Sequence, residues 1–309
     1  MRVRQRAMRS TPDPGSPYCY HPLMRAGLVL LLVAGAGILV RAQGTASILA
    51  VDLGTHLQPI AQLRDGGWVG VSGSLGRLAP RDWTRWDLEG RSSSLRLSVR
   101  EPTGRCAAPR WLPVASPSAR AAVGGAGTPA AAGIAASGSV SLDPVLGVGE
   151  TSPEWGRIQS AVGIAFEHRA RDHGVAAATL ARVPMTLDWV YASSRGGRVY
   201  SYYVEASKRV PDAGNTPEED PQGIVRVAVS GWLRATPNGP ATAGTRSELY
   251  WEPAEAPLPR PILKPLAVLR HGSDQVWVMQ GHLGVRDTFA LYALGGTVRS
   301  LATVDAASC

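Results

Sequence analysis

Two acids, Asp188 and Glu205, lie in neighbouring segments, 186–192 and 199–208, joined through Gly196-Gly197. Acids on partner strands of a hairpin can face each other across the ladder. A carboxylate pair at the right separation is the apparatus of an acid–base hydrolase. The same stretch holds Trp189, Tyr191, Tyr200, Tyr202 and Tyr203. The whole chain has 9 tryptophans and 8 tyrosines against only 2 phenylalanines, Phe166 and Phe289. Rings with a polar tip suit surfaces that are half apolar and half wet, such as a ligand or glycan platform. They also suit the interior of a β-sheet. Trp189, Tyr191, Tyr200, Tyr202 and Glu205 are therefore the candidate binding residues. Asp188 with Glu205 is the candidate pair for the alternative, an extracytoplasmic hydrolase.

Other candidate chemistry does not complete itself. His168 and His173 flank the end of a helical pattern beside Glu167 and Asp172. Metal pairs on a helix want i, i+4 spacing, and five residues turn the second side chain about 140° from the first. Their expected role is charge at a helix end. His56, His271 and His282 have no metal-ligand spacing to one another. Neither Ser72 nor Ser74 satisfies the G-x-S-x-G of a nucleophile elbow. The stretch Gly147-Val148-Gly149-Glu150-Thr151-Ser152 opens a helix but stops short of G-x-G-x-x-G and has no lysine for a P-loop. No cofactor, metal or catalytic residue is expected. The favoured reading is a non-catalytic binding or interaction module.

The charge does not make this a nucleic-acid binder. Residues 1–42 hold six arginines against Asp13, a net +5, which leaves +3 of the formal +8 for the rest. No basic run appears there, and a nucleic-acid surface needs one. The 30 arginines against 2 lysines, Lys208 and Lys264, point to a GC-rich bacterial gene rather than to chemistry.

The basic N-terminus reads as an export signal. Ala26 to Val40 is fifteen residues without a polar side chain, between Arg25 and Arg41. As a helix it spans about 22 Å, short of the roughly 30 Å of a hydrocarbon core. It suits the apolar region of a cleavable signal, with Val40 and Ala42 at the cleavage positions and Gln43 as the mature N-terminus. The alternative is an uncleaved membrane anchor. The proline-bearing residues 1–23 precede a second candidate start, Met24. The expected location is periplasmic or secreted. Partners there would be a ligand, a glycan or an envelope protein. Cys106 and Cys309 are an even pair in a chain leaving the reducing cytoplasm, which predicts a disulfide between them.

Those side chains need positioning, and the pattern is mostly of strands. The expected fold is mainly β with one covering helix (α+β), an antiparallel meander forming a curved sheet or open barrel. Propeller-like blades are the alternative. Residues 43–114 read as an N-terminal β region, with Asp65-Gly66 as a hairpin turn. Residues 115–138 are rich in Ala, Gly and Ser and read as a linker or insertion. Residues 139–309 read as the helix plus meander. Thr151 and Glu154 have capping-box spacing, and Trp155, Ile158, Val162, Ala165 and Phe166 recur on one helical face from Ser152 to Asp172. Period-2 alternation places Leu187, Trp189 and Tyr191 on one face, and Tyr200, Tyr202, Val204 and Ala206 on one face of the next strand. Further strands follow at 224–233, 248–251, 263–270, 275–280, 288–294 and 298–304.

Overall fold

Short turns between alternating segments force antiparallel neighbours, and the chain is mainly antiparallel β. The computed structural model describes residues 47–54, 56–71, 82–97, 112–113, 131–171, 176–211, 224–252, 263–271, 274–283 and 286–306. The first strands are β1 (Ile48–Asp52), β2 (His56–Arg64), β3 (Gly67–Gly70), β4 (Asp82–Asp87), β5 (Ser92–Arg96), β6 (Leu112–Pro113) and β7 (Gly133–Ser137). Two short strands, β8 (Leu142–Asp143) and β9 (Val145–Gly147), lead to the helices α1 (Trp155–Arg171) and α2 (Ala177–Arg182). Then come β10 (Thr186–Arg195), β11 (Arg198–Pro211), β12 (Ile224–Thr236) and β13 (Gly239–Glu252). The last four are β14 (Leu263–His271), β15 (Asp274–Leu283), β16 (Arg286–Leu294) and β17 (Val298–Asp305).

These strands divide into three sheets rather than one curved sheet or open barrel. The first runs β3-β2-β1-β7-β4-β5, with β6 beside β2; the second runs β13-β12-β11-β10-β9; the third runs β17-β16-β15-β14-β8. The second and third are each a four-strand meander with a fifth strand supplied from residues 142–147. Asp143 ends the strand on one sheet and Val145 begins the strand on the other, so Pro144 alone carries the chain between them.

The third sheet contributes to two cores. In β15, Val276 and Val278 cluster with Leu49, Val51, Ile60 and Ile134 of the first sheet. Trp277, one residue along in the alternation, clusters with Tyr203 and Trp232 of the second. This is the period-2 geometry of a strand buried on both faces. The opposite side of the second sheet, through Val190, Tyr202, Val204 and Val229, shares a cluster with Ile158, Val162 and Phe166 of α1. That helical face is the one its spacing predicts. The cap differs. Ser152, not Thr151, accepts from the Glu154 N–H at 3.3 Å, and regular helix begins at Trp155.

Two turns form as their chemistry requires. Asp65 and Gly66 have φ of 49° and 77°, and Gly196 and Gly197 have φ of 57° and 77°. Positive φ at both central positions gives a hairpin turn whose twist matches the strands it joins.

Three expectations change. Gly133–Ser137, within the stretch expected as a linker, is the buried strand β7, paired to β1 and β4. A β-carbon at Gly133 would lie 2.1 Å from the Trp86 carbonyl oxygen, so glycine is what lets β4 approach. The strand at 248–251 is the end of a 14-residue strand, β13. A bulge at Asp188 breaks the alternation of β10. Leu187 pairs with Ala206, whereas Trp189 pairs with Glu205, which puts Leu187 in the cluster with α1 and turns Trp189 to the other side. Residues 1–42 and 115–130, and all three cysteines, lie outside the described residues, as do Ser72, Ser74 and His173. Among the described residues no helix is long and apolar enough to cross a membrane.

Candidate functional site

The aromatic residues singled out in the sequence do not form one surface. Cross-strand partners point to the same side of a sheet. Trp189 is opposite Glu205, Tyr191 is opposite Tyr203, and Tyr203 is opposite Trp232. These residues face the third sheet. Trp189 and Tyr191 stack with centroids 6.4 Å apart and planes within 9°. Tyr203, Trp232 and Tyr292 continue as tilted pairs at 5.1 and 4.8 Å. Tyr202 points the other way, into the cluster with α1. Burial raises its phenol pKa, and the Glu154 carboxylate adds to the rise against an opposing effect of Arg157.

Glu205 is buried between the second and third sheets, 3% exposed. Its Oε1 accepts the Tyr203 hydroxyl at 2.8 Å and the Leu263 backbone N–H at 2.9 Å. It thus ties β11 to the first residue of β14. Burial, and then the Glu205 charge, raise the pKa of Tyr191. Asp188 accepts from Arg226 Nη2 at 3.2 Å. The two acids therefore have separate structural partners.

Tyr200 behaves differently from its neighbours. Ser193 is opposite Ser201 and Ser194 is opposite Val199, so a second bulge leaves Tyr200 without an opposite residue. The ring leaves the alternation and meets the Arg270 guanidinium, 4.0 Å from its centroid, with that of Arg198 at 5.4 Å. This is cation–π range.

Tyr200 and Arg270 line a cleft of about 350 Å³ together with Arg234, Ala235, Asp274, Gln275, Leu294, Gly295 and Gly296. Every one of these residues adjoins the same end of the two sheets. The turns β10–β11, β12–β13, β14–β15 and β16–β17 all fall there, because each meander returns to it on alternate strands. Neither Asp188 nor Glu205 lines the cleft. Among the described residues Asp274 is the one carboxylate in its lining.

Asp143, 2% exposed, anchors the lining residue Arg270. Its Oδ2 takes the Nε of Arg270 on the third sheet at 2.5 Å, and its Oδ1 lies 3.9 Å from the Nε of Arg195 on the second. A buried carboxylate requires such cations; the short contact lies within the third sheet and the longer one, to a mostly exposed arginine, reaches the second. A second strut crosses nearby, where the Ser201 hydroxyl donates to Gln275 Oε1 at 2.6 Å.

Of the five residues proposed from sequence, the cleft takes Tyr200 alone. Arg234, Arg270, Asp274 and Gln275 carried no local signal, since each is a single polar residue near a turn. Their shared end becomes visible only when strand order and direction are known. His168 is exposed near the end of α1. Among the described residues no group of three or more His, Cys, Asp or Glu could hold a metal ion. Comparison with protein-family models, with curated proteins and with solved structures finds no match.

Proposed function

We propose that the chain is an exported, non-catalytic binding module that takes a small ligand in the cleft between the turn ends of its second and third sheets. The observation that carries this reading is the bracing of that cleft. Its lining comes from five strands, Asp143 anchors the lining residue Arg270, and the Ser201 hydroxyl ties the lining residue Gln275 of the third sheet to the second. Preorganised concave sites of some 300–1,000 Å³ with a few fixed polar groups are the usual form of small-molecule sites. On this reading α1 covers the far side of the second sheet and leaves the turn ends for ligand. The hydrolase alternative draws less support, because Asp188 and Glu205 lie apart from the cleft and are engaged by Arg226, Tyr203 and Leu263.

Export rests on the apolar segment Ala26 to Val40 and its flanking arginines. Expression of the full precursor in a bacterium with a periplasm, followed by N-terminal sequencing, tests it. A periplasmic protein beginning at Gln43 is expected. An uncleaved protein in the membrane fraction supports the anchor instead, and an intact cytosolic protein contradicts export.

Binding is tested by thermal-shift screening of a fragment-sized library containing neutral and charged compounds. Gly295→Trp sets an indole at the cleft, from a β-carbon position 3.4 Å from Asp274 Oδ1. Hits that bind the wild type and lose at least tenfold in affinity against G295W are expected. A screen without saturable hits, or hits that bind G295W unchanged, contradicts the reading.

A further inference from the structure

We propose that the cleft recognises an oxyanion, a carboxylate or phosphate group of the ligand, held between Arg234 and Arg270. This rests on the cleft being the ligand site. Its polar lining residues Arg234, Arg270, Gln275 and Tyr200 all carry donors, with Asp274 as the single acid among the described residues.

Arg270 is the fixed element. Its Nε is committed to Asp143, and its guanidinium lies on the Tyr200 ring. Its Nη2 is buried and has no hydrogen-bond partner among the described residues. A buried donor without an acceptor is costly, and a guanidinium even more so than a neutral group. The planar fork matches the paired oxygens of a carboxylate or phosphate. A small adjustment of the ring–guanidinium stack on binding would give Nη2 the acceptor it lacks.

Arg234 supplies the second charge. It is half-buried and has no ion-pair partner among the described residues. It stands opposite Ser201 in the ladder, whose hydroxyl fixes Gln275 by its oxygen and leaves the Gln275 amide nitrogen as a further donor. Around the cleft Arg195, Arg198, Arg234 and Arg270 face Asp143 and Asp274, an excess of positive charge at this end. Asp274 opposes a bare multivalent anion and suits an oxyanion that carries its own hydroxyl or ammonium donor.

The test titrates ¹⁵N-glycine-labelled protein with sodium acetate, with sodium phosphate and, at matched ionic strength, with sodium chloride. Saturable shifts at Gly295 and Gly296 with acetate or phosphate but not chloride are expected, and the stronger of the two identifies the group. R270K keeps a cation for Asp143 but loses the fork, and R234Q removes a charge that holds no ion pair among the described residues. Each is expected to weaken binding about tenfold. Shifts no different from chloride, or wild-type affinity in both variants, overturn the oxyanion. If neutral compounds bind the cleft while neither anion does, the ligand class fails and the cleft stands. If nothing of either kind binds there, both fall.

Discussion

Asp143 reaches Arg270 on one sheet and Arg195 on the other, from a strand of two residues that a single proline separates from the next sheet. The carboxylate is almost wholly buried, so the two guanidinium groups offset part of the cost of taking it out of water. Arg270→Ala removes the shorter contact and leaves the charge to Arg195. The expected loss is about 3 kcal/mol, at the low end for breaking a buried pair because Arg195 partly compensates. Urea unfolding of R270A, D143N and the double variant measures it. The double variant should be more stable than R270A alone.

The Glu205 carboxylate has a structural task by the same logic. Glu205→Ala strands the Tyr203 hydroxyl and the Leu263 N–H inside the protein, a loss of about 1–3 kcal/mol. Glu205→Gln keeps an acceptor oxygen and should lose less. Ligand affinity should be unchanged in E205Q. A selective loss of function with full stability would instead revive the acid-pair chemistry.

Close backbone approach sets a third expectation. A β-carbon at Gly231 would stand 2.3 Å from the Gly244 carbonyl oxygen of the neighbouring strand. Gly231→Ala must push β12 and β13 apart, and overpacking of this kind costs about 1–3 kcal/mol. Gly296 has open space where its β-carbon would go. Gly296→Ala should stay within about 0.5 kcal/mol of the wild type. Thermal melts of the two side by side check the contrast.

Burial holds the His56 pKa below its usual 6.5, and the nearby Asp52 carboxylate offsets only part of that. The unfolded chain therefore takes up a proton at a pH where the folded chain does not. This contribution to stability is complete above about 6.5 and declines as pH falls from there toward the lowered folded value. His56→Gln should flatten the stability profile in that window. A profile with the same slope in both proteins would show that another group is responsible.

Much of the fold was legible because local chemistry and global structure agree. Asp65-Gly66 and Gly196-Gly197 make their turns, and Ile158, Val162 and Phe166 make one helical face. What was not legible has physical causes. Residues 133–137 are too small to show a pattern, and β7 exists because its neighbours on both sides supply the ladder. The Pro-Ala-Thr-Ala-Gly stretch of β13 likewise has no alternation and is held by β12. The bulges at Asp188 and Tyr200 each reverse the side on which the next residues fall, which no period-2 count can foresee. The second bulge sets Tyr200, the one residue of the five that lines the cleft, in its place. The arginines around it came from four separate strand ends, so the sequence showed them only as isolated charges.

The claim that a ligand occupies the cleft between the second and third sheets is tested most directly by a crystal structure of the protein with its tightest-binding screening hit. Ligand density between Arg234 and Arg270, against Gly295 and Gly296, is the expected result. Density for the ligand elsewhere on the protein, with both arginines positioned as in the free form, would contradict it.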